Sequence, residues 1–120
     1  MHLDPLDIAN KDQKYRLESA GHFQLALFLD SPMIANLSIP EKSLKIADFV
    51  LRRSGAVFNE QHSKQITHTL QSNPLARFTT LSRQILKDLA SVPITLEEFK
   101  TIEADRAKTE RRTHPTFGDR

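Results

Sequence analysis

Prolines preceded by helix-capping residues divide this chain into short segments, each with an apolar residue every three or four positions. Ser31-Pro32 and Asn73-Pro74 combine a capping side chain with a proline suited to the first helical turn, and Ser38-Ile39-Pro40 follows the same logic. Thr95 and Glu98 have the spacing of a capping box, in which each side chain binds the other residue's backbone N–H. This punctuation is typical of successive amphipathic helices.

Signals for β-strands are weak throughout the sequence. There is no alternating run of β-branched and aromatic residues, and neither Asn-Gly nor Asp-Gly, the common hairpin turns, occurs. The sequence therefore predicts an all-α fold, a single compact bundle of five or six short helices joined by short connections.

The spacing of apolar residues predicts helices over about residues 12–29, 33–37, 39–53, 60–71, 75–90 and 95–105. Gly21 is interpreted as a point of close helix packing within the first of them, and the helix over 39–53 is expected to be central to the core. Residues 1–10 are predicted to be an irregular lead-in and 11–105 the helical domain. Residues 106–120 are predicted to be a flexible basic tail, because the apolar stripe ends after Ala104 and 113–118 contain proline and glycine.

The positive charge is concentrated in that tail. Residues 1–105 carry 12 Lys and Arg against 13 Asp and Glu, whereas residues 106–120 carry five against two. The formal net charge of +2 therefore belongs to the tail and is weak support for nucleic-acid binding by the domain itself.

Cysteine is absent, which excludes disulfides, thiolate metal sites and a cysteine nucleophile. The first residues include Asp4 and Asp7, where a secretion signal would need basic residues. The longest apolar run, Leu25 to Leu29, is far shorter than the roughly 20 residues that a membrane span needs. We expect a cytoplasmic protein that makes no membrane contact.

The sequence nominates no reaction centre. His62 and His68 are six positions apart, which places them on opposing sides of a helix, and His62 is expected at the edge of the core. Glu18 and His22, one turn apart, are equally well explained as an ordinary surface contact. No Gly-x-Ser-x-Gly elbow and no glycine-rich phosphate loop occurs. We therefore predict no enzymatic activity, no metal, no cofactor and no small-molecule substrate.

Surplus apolar helix surface favours a non-enzymatic interaction module, such as an adaptor, a regulatory subunit or an assembly component. The apolar faces of the predicted helices 12–29 and 39–53 exceed what the short neighbouring segments cover. A protein partner or self-association would bury this surface, with predicted contacts at Leu25, Phe28, Phe49 and Leu51. The alternative is that these faces close on one another inside the domain.

An accessory nucleic-acid-binding protein is the second hypothesis. Basic side chains would contact phosphates from a helix face, a helix end and the tail, at Arg52, Arg53, Arg77, Arg83, Lys87, Arg111 and Arg112. Against it, the chain does not fit a helix-turn-helix template, and few aromatic residues are available to stack on bases. A solvated helix face explains the same basic residues.

Overall fold

Helices form most of the backbone in the computed structural model, which describes residues 4–118 and the side chains of residues 4–108. Seven α-helices follow one another within that range, and no strand occurs in it. They are α1 (Pro5–Ser19), α2 (His22–Asp30), α3 (Pro32–Ala35), α4 (Ile39–Ser54), α5 (Glu60–Ser72), α6 (Phe78–Ala90) and α7 (Leu96–Gly118). The all-α prediction is confirmed, with seven helices rather than five or six.

The predicted helix over 12–29 is two helices, separated at Ala20 and Gly21. Both residues have extended backbone angles, with ψ near 131° at Ala20 and 113° at Gly21. On an unbroken helix Leu25 would point about 80° away from Leu17, since each residue advances the helix by about 100°. The break lets Leu17 and Leu25 both enter the core, where both are buried. The interpretation of Gly21 as a close contact inside one helix was therefore wrong.

The two ends of the chain also differ from the prediction. Asp4 caps α1 by accepting from the Leu6 N–H, so residues 5–10 are helical rather than irregular, with Pro5 in the first turn as its fixed φ allows. At the other end α7 continues to Gly118, and residues 103–112, mostly good helix formers without proline or glycine, account for its extension past residue 105. The predicted end of the helix near residue 105 was wrong, and flexibility of residues 106–120 stays a prediction.

The core forms around α6, which packs against α1, α2 and α5. Its buried residues Leu81, Ile85, Leu86 and Leu89 have the helical spacing that places them on one face. They meet buried apolar residues from the other helices, Leu17, Leu25, Leu29, Ile46, Val50, Ile66 and Leu70. The helix over 39–53, expected to be central, is α4; it packs mainly on α5.

An extended segment, residues 55–59, joins α4 to α5 and is held by α1. Gly55 ends α4 in the left-handed region, with φ of 68°, where glycine has no steric penalty. Val57 then exchanges two hydrogen bonds with the buried side chain of Gln13, whose amide donates to the Val57 carbonyl and accepts from its N–H at 2.9 Å. The connection is thus fixed against the first helix rather than left to solvent.

Candidate functional site

A concave groove of about 720 Å³ lies between the α2–α3 corner and α4, and we call it the α2–α4 groove. The rings of Phe28 and Phe49 stack inside it with their centroids 4.4 Å apart and their planes 19° apart. Three apolar side chains of the α3 region complete the lining, Met33, Ile34 and Leu37. Met33 is 82% exposed, which leaves a large apolar side chain in water at the mouth of the groove.

Basic side chains from α4 surround this apolar lining. Arg53 places its guanidinium carbon 5.6 Å from the centroid of the Phe49 ring, within the range of a cation–π contact. Arg52 pairs with Asp48 at 3.1 Å, whereas Lys45 has no ion-pair partner among the described residues. Lys45 and Arg53 therefore give the rim a net positive charge that no neighbouring carboxylate neutralises.

The four predicted partner contacts are only partly brought together. Phe28 and Phe49 meet in the groove although they are far apart in sequence. Leu25 is 1% exposed and belongs to the core, so its prediction as a partner contact was wrong; the break at Gly21 turns it inward. Leu51 is 38% exposed on another side of α4 and does not line the groove.

Sequence reasoning missed the contribution of α3. This helix has only four residues, and its sequence shows no amphipathic periodicity that could assign Met33 to a surface. The one available signal was the apolar composition of 33–37 between two capping serines. A helix of four residues is too short to bury its own apolar side chains, so these side chains can line a groove.

Two of the predicted nucleic-acid contacts, Arg53 and Arg83, lie close to one point of the fold. Arg83 donates from Nε to His22 Nε2 at 3.3 Å, and an Arg53 nitrogen lies 3.8 Å from where a Cβ on Gly21 would be. These two cations therefore approach the same break between α1 and α2. Arg77 is the N-cap residue of α6 and Lys87 lies near the end of that helix, both exposed, and Arg52 is paired with Asp48. The side chains of Arg111 and Arg112 lie outside the described residues.

His62 is a buried titratable group away from the groove, and its predicted place at the edge of the core was wrong because it is 0% exposed. Its Nδ1 accepts from the Asn59 N–H at 3.0 Å, and Asn59 Oδ1 accepts from the His62 N–H at 3.2 Å. This reciprocal pair is the capping box of α5. Nε2 is buried without a hydrogen-bond partner among the described residues.

The same cluster joins α5 to α7 through Glu98. Its carboxylate accepts from the Thr95 N–H at 2.8 Å, which confirms the predicted capping box, and from the Asn59 side chain at 3.1 Å. Burial lowers the pKa of His62 below its ordinary value, and the charge of Glu98 only partly opposes this. Burial acts to raise the pKa of Glu98, but hydrogen bonds from Thr95 and Asn59 hold it below its ordinary value. These interactions identify His62 as a structural capping residue.

Other classes of site find little support in the part of the chain that the structure describes. No three His, Asp or Glu side chains converge there as a metal site would require. Glu18 and His22, one turn apart in the sequence, lie on different helices, α1 and α2. Within the described range no helix is both long enough and apolar enough to cross a membrane.

In comparisons with known proteins, no family model, no curated protein and no solved structure matches this chain. The geometry and charge of the α2–α4 groove are therefore the basis for assigning a function.

Proposed function

We propose that this chain is a non-enzymatic interaction module of the cytoplasm, an adaptor, regulatory subunit or assembly component, that binds a protein partner in the α2–α4 groove. One observation carries the proposal. The Phe28–Phe49 stack and the exposed Met33 line an open groove whose basic rim has charge left uncompensated. Exposed apolar surface bordered by charged residues is typical of protein interaction sites.

The secondary structure narrows the way in which a partner segment could bind. The described residues contain no strand, so a peptide cannot add to a sheet edge here. We infer that the partner binds as a helix laid in the groove, with apolar residues at i, i+4 and i+7 contacting the apolar lining. Lys45 and Arg53 favour acidic residues along the solvent side of that helix, because opposite charges steer association and select the partner.

A designed peptide tests this proposal directly. We expect a labelled amphipathic helix with leucines on one face and glutamates on the other to bind the wild-type chain in a fluorescence anisotropy titration. The double variant Lys45→Glu/Arg53→Glu should weaken binding at least tenfold, about 1.4 kcal/mol, and reduce its dependence on salt. Met33→Asp should also weaken binding, because it places a charge against the apolar face of the peptide.

Lys100→Glu is the matched control, since this exposed lysine of α7 does not line the groove. Binding to that variant should equal binding to the wild type. A peptide that binds all these variants equally, or that binds equally well when its glutamates are replaced by lysines, would contradict the proposed groove.

Nucleic-acid binding is a second candidate, and the approach of Arg53 and Arg83 to the break between α1 and α2 favours it. Each phosphate contact releases condensed counterions, so affinity should fall steeply as salt increases. We expect Arg83→Glu/Lys87→Glu to reduce the slope of log affinity against log salt by about one to two, if these residues contact phosphates. Gel-shift titrations at several salt concentrations measure this slope, and an unchanged slope would exclude these contacts.

A further inference from the structure

A second apolar surface lies on the neighbouring side of α2, against the start of α6. It borders a cavity of about 300 Å³ lined by Phe23, Ala26, Leu27, Asp30, Phe78 and Thr79. Phe23 is 63% exposed and Leu27 is 73% exposed, although they stand one turn apart on the same helix. These two residues and Phe78 are here called the α2–α6 patch, which is distinct from the α2–α4 groove lined by Phe28.

The composition of α2 explains why burial of this exposed apolar surface is favourable. Leu25, Ala26 and Leu29 fill the core side, so the helix is apolar on its buried side and again on the side that faces water. A helix that is apolar all round is normally buried all round. Within the described residues no other helix covers Phe23 and Leu27.

Opposite charges stand at the two ends of α2. At its beginning, Arg83 donates to His22, whose ring centroid lies 4.1 Å from that of Phe23. At its end, Asp30 borders the same patch and has no ion-pair partner among the described residues. Asp30 also stands at the negative end of its own helix dipole, where a carboxylate is disfavoured.

We infer that the α2–α6 patch binds a second copy of this chain, with the two α2 helices antiparallel about a two-fold axis near Ala26 and Leu27. In that arrangement each Asp30 lies beside Arg83 and the first turn of α2 in the other copy. Each Phe23 and Leu27 is covered by the same residues of the other copy, as an isologous interface requires. The charges at the two ends of this nine-residue helix, about 14 Å long, thus complement themselves only when the helices run in opposite directions.

Sedimentation velocity over a dilution series tests this dimer. The wild-type chain should show a reversible monomer–dimer equilibrium. Leu27→Asp, at an exposed position that leaves the core intact, should raise the dissociation constant at least about tenfold. Lys100→Asp on α7 is the matched control and should leave the equilibrium unchanged. A wild-type chain that stays monomeric at every concentration would overturn the inference.

A charge exchange distinguishes the antiparallel arrangement from any other dimer. Asp30→Arg and Arg83→Asp should each weaken self-association, because both pairs of the symmetric interface then carry like charges. Mixing the two variants should restore dimers. In the mixed dimer one of the two interface pairs has its charges exchanged, and the other is the wild-type pair of Asp30 and Arg83, so both pairs carry opposite charges. Circular dichroism establishes that each variant is folded. A dimer that survives either substitution, or a mixture that stays monomeric, would rule out this interface.

Discussion

Replacing Leu25 with alanine is expected to lower the free energy of unfolding by about 2–5 kcal/mol. Leu25 is 1% exposed and packs in the core cluster with residues of α1, α4 and α6. Alanine would remove its isobutyl group and leave a cavity that the surrounding helices fill only in part. Urea unfolding followed by circular dichroism measures the change as a lower transition midpoint with an unchanged slope.

The matched control is Leu44→Ala on α4. Leu44 is largely exposed, and alanine is at least as good a helix former, so its free energy of unfolding should stay within about 0.5 kcal/mol of the wild-type value. Both variants are compared at one protein concentration, so that self-association affects them equally. If Leu25→Ala lowers the free energy of unfolding no more than Leu44→Ala does, Leu25 is a surface residue, as its prediction as a partner contact implied.

Acid is expected to destabilise the fold through His62. Burial lowers the pKa of this histidine in the folded chain, so the unfolded chain binds protons more readily as the pH falls below about 6.5. The stability that neutral His62 contributes is fully present above about pH 6.5. It is lost as the pH falls from there through the lower pKa of His62 in the folded state. Because one proton is taken up, the free energy of unfolding changes by at most about 1.4 kcal/mol per pH unit.

The structure explains why the charged form is disfavoured. A proton on Nδ1 would remove the acceptor for the Asn59 N–H and break one half of the capping box, although it could then donate to Asn59 Oδ1, which is 3.0 Å away. Glu98 acts at lower pH, because its lowered pKa contributes stability above about 4.3 that disappears as the pH falls through its folded-state value. The loss of stability from His62 therefore begins at a higher pH than the loss from Glu98.

His62→Gln isolates the histidine contribution. Glutamine at this position keeps an acceptor for the Asn59 N–H but does not titrate, so stability should change less between about pH 6.5 and pH 5 than in the wild type. His68→Gln makes the same replacement at an exposed position of α5 and should keep the wild-type stability at about pH 8. Parallel losses of stability in the wild type and His62→Gln would show that His62 is not the group responsible.

Capping chemistry made the boundaries of several helices predictable from sequence. Ser38 caps α4 and Thr95 and Glu98 form the capping box of α7, as their spacing indicated. The limits of α4 and α5 lie within about two residues of the predicted ones. These features depend on residues three or four apart, and such neighbours are visible in a sequence.

Features that depend on distant residues were not predictable in the same way. The break at Gly21 carries no proline signal, and it arises because separate helices bury Leu17 and Leu25 together. The predicted helix over 75–90 included Leu75, yet α6 begins at Phe78 and Leu75 is exposed. Two of the four predicted partner contacts, Phe28 and Phe49, line the candidate site, but Met33 and the rim could be recognised only once α3 and α4 were placed side by side.

The paired hydrogen bonds between Gln13 and Val57 make distant parts of the chain depend on each other. A single amide side chain does for Val57 what an adjacent β-strand would do, since it satisfies both its N–H and its carbonyl. If α1 moved away, both groups would lose these partners, and Asn59, which caps α5, is only two residues further along the chain. We therefore expect the first helix and the α4–α5 connection to open together, as one cooperative unit.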